Sequence, residues 1–235
     1  MKKLLYQIIT VIFLISLFLN AAYGKEDWKL IKDKNDIKVY ERKIPDLELK
    51  EYKGVGIVNA RLEIVGELLG DPSSIIDWLA NCTFSKTIHM RGDKRIIYNI
   101  FGLPWPVKSR DCVLEVDIIM NYRKGRIDAT MRGLREEETF LFVPQQGDNL
   151  RVTNYRGEFI LQAIDKKTTE VTFGFIFDPA GSLPIALSQM FMDDNPFNTL
   201  SAIREEVKKP KWIERGNNSK EKSKFEKYFF DREPN

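Results

Sequence analysis

A long helical pattern near the C-terminus constrains the fold of this chain more than any other feature of its sequence. Residues 182–209 predict a helix of about 27 residues, with Ser182 as its N-cap. Pro196 predicts a kink or a restart of the helix, with Asn195 as a second cap. Most of the preceding chain has the pattern of strands, so we expect an α+β fold in which this helix lies against one large antiparallel sheet. The first half of the helix places its apolar residues on one face: Leu183, Leu187, Met190 and Phe191.

Alternating apolar and polar residues mark the strands that precede the helix. Gly54 and Gly56 predict a bulge or a sharp bend in the third strand. Two short helices, at 60–69 and 72–79, interrupt the strand pattern. The clearest strand, residues 111–122, has an uncharged face formed by Cys112, Leu114, Val116, Ile118, Met120 and Tyr122. The predicted strands occupy an extended region at 25–57 and then residues 83–91, 95–101, 111–122, 126–134, 139–143, 150–164 and 169–178.

The N-terminus has the pattern of a secretory signal peptide. Lys2 and Lys3 precede an apolar run over residues 4–19, and the small residues Ala22 and Gly24 suit cleavage before Lys25. An uncleaved N-terminal anchor is the alternative. We therefore expect a signal peptide at 1–24, a folded domain at 25–209, a charged tail at 210–235, and export to the periplasm. The tail is either weakly ordered, docking at most a short helix, or a surface for a membrane or a partner.

Composition argues against several classes of function. The formal net charge is only +3, which gives no reason to expect a nucleic-acid partner. His89 is the single histidine, which removes most hydrolase triads and histidine-rich metal sites. Cys82 and Cys112 lie in apolar, strand-like surroundings, which favours buried free thiols, although export permits a disulfide. We expect no catalytic residues, no metal and no cofactor.

The predicted architecture leaves the protein's interior open to two interpretations. A curved sheet crossed by a long helix does not have to close tightly, and a gap between them would hold a hydrophobic ligand. The alternative is a filled α+β core. Periodicity does not separate these two possibilities.

Two motifs carry a resemblance to a known family. The first is Pro104-Trp105-Pro106, followed by Arg110-Asp111 at the start of an apolar strand. The second runs from residues 178–184 into 195–207, through the start and second half of the long helix. In this order and separation they resemble the START domain, the StAR-related lipid-transfer domain, and most of all its exported bacterial single-domain members. The resemblance covers about residues 28–209.

The resemblance implies a helix-grip fold, in which the sheet wraps around the long C-terminal helix and encloses a lipid-sized tunnel. It also implies that this helix and nearby loops act as a lid, and that the ligand is a sterol, phospholipid, ceramide or other hydrophobic molecule, bound mostly without catalysis. The tunnel wall is then predicted to include Val116, Ile118, Met120, Met131, Phe173 and Phe175 from the sheet, and Leu187, Met190, Phe191, Leu200 and Ile203 from the helix.

Arg110 has two interpretations. It either ties the Pro-Trp-Pro loop to the fold by charge-assisted hydrogen bonds, or meets a ligand head group at the tunnel mouth. Sterol- and phospholipid-carrying members of the family have charged residues on the tunnel side of their central strands. The corresponding face of strand 111–122 carries no charge. No acid–base pair is therefore carried over, and the ligand's identity stays open.

We expect a monomer that binds, and in brief contact with membranes transfers, a lipid or similar molecule. The rival hypotheses are a cyclase- or aromatase-like enzyme with a substrate in the same cavity, and a protein-interaction domain with a filled core.

Overall fold

The structure, a computed structural model, describes residues 28–45, 49–139, 142–143, 147–181 and 185–230, with the backbone alone described at 185–190. The predicted signal peptide and the Ser182 cap lie outside these residues. Within them, ten strands form one sheet: β1 (Lys29–Lys34), β2 (Ile37–Lys43), β3 (Lys50–Val58), β4 (Cys82–Arg91), β5 (Lys94–Phe101), β6 (Arg110–Asn121), β7 (Arg126–Gly133), β8 (Leu150–Val152), β9 (Tyr155–Asp165) and β10 (Thr168–Phe177).

The sheet is antiparallel in the order β1-β2-β3-β10-β9-β7-β6-β5-β4. The short strand β8 lies off this path and pairs in parallel with the first residues of β6. Short turns at residues 35–36, 92–93 and 166–167 connect antiparallel neighbours, as the turn residues of the sequence predict. The predicted α+β, helix-grip architecture is therefore confirmed.

Six helices accompany the sheet in the described part of the chain. Two are single turns, and the short helices α1 and α2 follow β3, close to where the sequence predicts them. The bounds are α1 (Leu62–Gly70), α2 (Ile75–Trp78), α3 (Glu136–Thr139), α4 (Ile185–Glu206), α5 (Pro210–Asn218) and α6 (Lys220–Tyr228). No helix among the described residues combines the length and apolar character needed to cross a membrane.

The long helix α4 runs for 22 residues and continues through Pro196. The predicted restart with Asn195 as a second cap is wrong. The Asn195 side chain instead donates a hydrogen bond to the Ala80 carbonyl oxygen at 3.2 Å and accepts one from the Thr199 hydroxyl at 3.4 Å. The contact with Ala80 joins α4 to the segment after α2. Tertiary contacts therefore stabilise the helix where Pro196 removes a backbone hydrogen bond.

The two glycines of β3 serve the packing of α4 on the sheet. The prediction of a bulge at these positions is wrong, because β3 keeps its register with β2 and β10 along its length. A Cβ atom at Gly54 would lie 2.8 Å from Pro196 Cβ of α4, whereas one at Gly56 would lie 3.1 Å from Ile37 Cγ1 of β2 and 3.6 Å from Leu200 Cδ1 of α4. Glycine therefore allows the helix backbone to come close to the strand.

Two segments differ from the predicted strands. The expected strand at 139–143 is wrong: Thr139 ends α3, and its carbonyl accepts the Phe142 and Val143 amides at 2.9 Å, which closes a turn. Phe140 lies outside the described residues.

The single strand predicted at 150–164 is divided into β8 and β9. The chain changes neighbours there, from β6 to β7 and β10, and it passes over the end of β7 at Gly133. A Cβ atom at Gly133 would lie 2.3 Å from the Thr153 carbonyl oxygen, so the crossing depends on glycine.

The chain after residue 209 forms two amphipathic helices that pack against the domain. Pro210 occupies the first turn of α5, where its missing N–H is harmless. Trp212 of α5 and Phe225 of α6 are fully buried, and the Trp212 indole donates to Glu206 at 3.0 Å. Gly216 allows α5 to lie directly on α1, because a Cβ atom there would be 2.4 Å from Ile64 Cγ1.

Candidate functional site: an apolar cavity between the sheet and helices α1, α2, α5 and α6

An apolar cavity of about 250 Å³ lies on the inner face of the sheet, among the residues that the structure describes. This volume is slightly below the range of about 300–1,000 Å³ for small-molecule sites. Its floor is formed by β5, β6, β7 and β9, and its cover by α1, α2, α5 and α6. The apolar wall consists of Leu69, Ile75, Trp78, Leu79, Ile97, Leu114, Val116, Ile118, Met120, Ile127, Ala129, Met131, Tyr155, Phe159, Leu161 and Phe225.

The floor follows from strand alternation. Even-numbered residues of β6 and odd-numbered residues of β7 point to the same side, because Val116 is paired with Met131 and Ile118 with Ala129. Four of the predicted ligand-binding residues therefore meet in this cavity: Val116, Ile118, Met120 and Met131.

A second, smaller cavity of about 50 Å³ adjoins the first, since Leu79 and Tyr155 line both. It lies between the ends of β9 and β10, the loop after β5 and the helix α4. Four other predicted residues line this space: Arg110, Phe173, Phe175 and Phe191. Phe173 stacks on Phe159 and on Phe175, with ring centroids 4.4 Å and 5.3 Å apart.

Leu200 and Ile203 do not line either cavity. Leu200 and Ile203 are completely buried in the core between α4 and the sheet. The side chains of Leu187 and Met190 lie outside the described residues. Leu200 and Ile203 are buried because α4 packs closely on β3, where Gly54 leaves room for Pro196 and Leu200.

The cover of the larger cavity comes partly from the segment that the sequence indicates as a charged tail. Arg215, Ser219, Glu221 and Phe225 of α5 and α6 line it. The sequence contained a signal for this role, because Trp212 and Phe225 interrupt an otherwise charged stretch. Without the fold, nothing showed which surface these aromatic residues would meet.

Ion pairs and hydrogen bonds hold this cover in place. Arg215 of α5 contacts the carboxylates of Glu67, at 3.1 Å, and Asp71. Burial alone would raise the pKa of Asp71, but hydrogen bonds from Ser73 and Arg215 lower it overall. On α6, Glu221 accepts a hydrogen bond from the Tyr122 hydroxyl.

The inner face of β5 supplies the polar groups that sequence reasoning left unassigned. The structure places Arg95, Ile97 and Asn99 on the cavity side and their neighbours on the outer side. Arg95 donates to the Gly70 carbonyl at the end of α1. Glu63, in the first turn of α1, is also in the wall, and burial raises its pKa above the usual range.

Arg110 and Asp111 face opposite sides of the sheet, as adjacent strand residues must. The Arg110 guanidinium is only 2% exposed, and it donates to the carbonyls of Pro179 at 2.7 Å, Ala180 at 3.1 Å and Lys108. Burial lowers its pKa. These bonds join the loop after β5 to the turn before α4, which is the structural one of the two interpretations of Arg110.

Asp111 is completely buried on the other side of the sheet. It accepts bonds from Arg151 at 2.8 and 2.9 Å and from the Tyr98 hydroxyl at 2.9 Å. Burial and this carboxylate raise the pKa of Tyr98 to about 12.

The two thiols have the character of structural groups. Cys82 and Cys112 are buried and not bonded to each other. Burial raises the pKa of both thiols, that of Cys82 to about 12, so neither is a ready nucleophile at neutral pH. His89 is exposed on β4 and lines neither cavity. Among the described residues, no group of three or more His, Cys, Asp or Glu side chains has the arrangement of a metal site.

A large antiparallel sheet that grips a long C-terminal helix beside an apolar cavity defines the helix-grip class of proteins. Comparison with known proteins specifies the family. The uncharacterized protein PA1579 of Pseudomonas aeruginosa is 32% identical over 184 residues, which span 78% of this chain and 88% of that protein. No family model matches the chain.

Solved structures share the fold. The STAR-related lipid transfer protein of Xanthomonas axonopodis gives a TM-score of 0.69 at 25% identity, over 77% of this chain and 99% of that one. Human StAR-related lipid transfer protein 5 gives the same TM-score at 18% identity, over 88% of this chain and 98% of that one. The chain belongs to the START family of StAR-related lipid-transfer domains.

Proposed function

We propose that the protein binds a lipid or another hydrophobic small molecule in the larger cavity. The observation that carries this proposal is the cavity itself: about 250 Å³ of space with a mainly apolar wall on the inner face of the sheet. Transfer of apolar surface from water into such a wall is worth about 25 cal/mol per Å². This gain offsets much of the cost of removing a lipid from a membrane.

We propose that the protein acts without catalysis. The cavity wall contains two carboxylates from α1, but Glu67 is paired with Arg215 and Glu63 lies 3.9 Å from Arg61. The single histidine, His89, is exposed on β4 and lines neither cavity. If the purified protein converted its extracted ligand into another compound over time, this proposal would be contradicted.

A variant in which a large side chain fills the cavity tests the proposed function directly. Ala129 lies on the floor, and Ala129→Phe is expected to occupy the space and weaken the binding of a fluorescent fatty-acid probe by about tenfold or more. Thr130→Phe is the matched control, since the next residue of β7 points to the outer face and lines only a surface groove. Equal binding by both variants and the unchanged protein would contradict the cavity as the site. Organic extraction and mass spectrometry of the purified protein would identify the natural ligand.

We also propose that the protein contacts membranes transiently through the loop between β5 and β6. Trp105 in this loop is 92% exposed, between two prolines whose side chains are also exposed. Leu103 of the same loop lines the smaller cavity. Aromatic side chains favour the interface between lipid and water. Flotation with phospholipid vesicles measures this contact.

We propose that residues 1–24 direct export to the periplasm and are then removed. The proposal rests on the basic, apolar and small-residue pattern of the N-terminus. N-terminal sequencing of the protein from its native cell is expected to begin at Lys25. Detection of Met1 on the mature protein would contradict cleavage. That the protein is a monomer stays a prediction, which a measurement of molar mass by light scattering would test.

A further inference from the structure

The inner face of the sheet carries a patch of uncharged polar side chains whose buried atoms have no hydrogen-bond partner. Ser85 of β4 is paired directly with Asn99 of β5, and Thr87 with Ile97, so Ser85, Thr87 and Asn99 share one face. The buried atoms are Ser85 Oγ, Thr87 Oγ1 and Asn99 Oδ1. Asn99 is only 3% exposed and lines the larger cavity. We call Ser85, Thr87 and Asn99 the polar patch.

Such a patch is costly in the free protein. A buried polar atom that finds no partner loses its bonds to water without replacement, which disfavours folding. Asp111, on the other face of the sheet, is by contrast satisfied by Arg151 and Tyr98. The three atoms of the polar patch share this face with Arg95 Nε, which also has no partner, and both Asn99 and Arg95 lie in the cavity wall. Such atoms point to a group that enters with a ligand.

We propose that the polar patch binds an uncharged oxygen group, such as a hydroxyl, on the ligand of the larger cavity, so that the natural ligand is a neutral lipid. This inference rests on the proposed function. The patch contains no ionisable side chain, and an ion brought there would lose its hydration without a counter-charge. A hydroxyl needs no counter-charge, and it both donates and accepts hydrogen bonds, which suits hydroxyl and amide partners.

Charged residues of the wall lie elsewhere. Arg95, on the same face of β5, is four residues from Asn99, or about 13 Å along the strand. It already donates to the Gly70 carbonyl, although its Nε atom has no partner. The Glu63 side chain, on α1, also has one buried oxygen atom without a hydrogen-bond partner. A charged head group at Arg95 or Glu63 is the competing possibility, and the experiment includes it.

The experiment is titration calorimetry of the full chain at pH 8 with four ten-carbon probes: 1-decanol, 1-chlorodecane, decanoate and decylamine. The informative quantity is the ratio of the dissociation constants of 1-chlorodecane and 1-decanol, because the two share a chain and differ at the end group. Asn99→Leu is expected to lower this ratio about tenfold, and Ser85→Ala severalfold, as loss of a buried hydrogen bond requires. Ile100→Val, on the outer face of β5, is the control and keeps the ratio of the unchanged protein.

Stability provides a second measurement. Asn99→Leu removes an unsatisfied buried atom, so this variant is expected to unfold at a urea concentration equal to or above that of the unchanged protein. A loss of 1-decanol preference in a fully folded variant therefore reports on binding.

The outcomes separate this inference from the proposed function. A ratio that stays within about twofold in both Asn99→Leu and Ser85→Ala overturns the polar patch as a ligand site. Binding of decanoate or decylamine as tight as that of 1-decanol overturns the neutral ligand. Either result leaves hydrophobic binding in place. If none of the four probes binds, the proposed function fails, and this inference fails with it.

Discussion

Arg110 illustrates how a single buried side chain sets the geometry around the smaller cavity. Its guanidinium donates hydrogen bonds to carbonyl oxygens of two separate segments. These are Lys108 in the loop after β5, and Pro179 and Ala180 in the turn before α4. A planar group with several N–H donors joins separate backbone segments in a way that one lysine ammonium does not. These bonds join the start of β6 to the turn at Pro179 and Ala180, which precedes α4.

Replacement of Arg110 is therefore expected to lower stability. Arg110→Met leaves buried carbonyls without donors, and we expect the free energy of unfolding to fall by about 2–4 kcal/mol in urea titrations. Arg110→Lys should recover only part of this loss. Arg123→Met, at an exposed arginine, is the control, with a change of less than about 0.5 kcal/mol. If Arg110→Met instead keeps full stability and loses only ligand binding, the head-group role is correct.

Helices α5 and α6 form a cover that the first 209 residues of the chain do not supply. The contact between α5 and α1 depends on Gly216, and that between α6 and the sheet on Phe225 and the Tyr122–Glu221 hydrogen bond. Ser219, between the two helices, is extended and lines the cavity. The cover is thus built from short helices with few buried side chains, the kind of element that opens at low cost in free energy.

The close approach at Gly216 predicts a specific effect. Gly216→Ala would place a methyl group 2.4 Å from Ile64 Cγ1, so α5 must shift, and stability should fall by about 1–3 kcal/mol. Hydrogen exchange in α5 and α6 should become faster. Gly70→Ala is the matched control, because nothing lies within 4 Å of a Cβ atom there, and a helical alanine adds about 0.5–1 kcal/mol of stability. Similar results for both variants would show that α5 does not depend on this contact.

On the scale of the whole molecule, the sheet is divided between two tasks. The half formed by β2 and β3 is sealed by α4, which packs there without a gap. The half formed by β5, β6, β7 and β9 is open to the larger cavity. The exposed loop with Trp105 lies beside the smaller cavity, which adjoins the larger one. This arrangement places the proposed membrane contact next to the smaller of two adjoining cavities.

The loop's proposed contact predicts how the whole protein binds membranes. Trp105→Ser is expected to weaken flotation with vesicles of phosphatidylcholine and phosphatidylglycerol by about tenfold, since it removes much of the loop's exposed apolar area. Ile119→Ser is the control: Ile119 is 63% exposed but lies near the other end of β6. Binding of the fatty-acid probe should stay unchanged in both. Equal flotation of the two variants would exclude the loop as the contact.

Local patterns accounted for much of the fold and for the floor of the site. Alternation along residues 111–122 predicted which side chains of β6 share a face, because neighbouring strand residues always point to opposite sides. The pattern did not reveal that Gly54 and Gly56 serve helix packing, since glycine is equally typical of bulges and of close approaches. It also did not assign the inner face of β5, where both faces carry apolar residues.

The sequence by itself determined the family, most of the strands with their turns, the long C-terminal helix and four of the floor residues of the cavity: Val116, Ile118, Met120 and Met131. These follow from periodicity and from short motifs, which act between residues close in the chain. Only the tertiary structure decided where the space lies and what covers it. The distance of α4 from the sheet depends on contacts between residues such as Gly54 and Pro196 that are more than a hundred positions apart. The same is true of Gly216 and Ile64, whose contact turns a charged tail into the cover of the cavity.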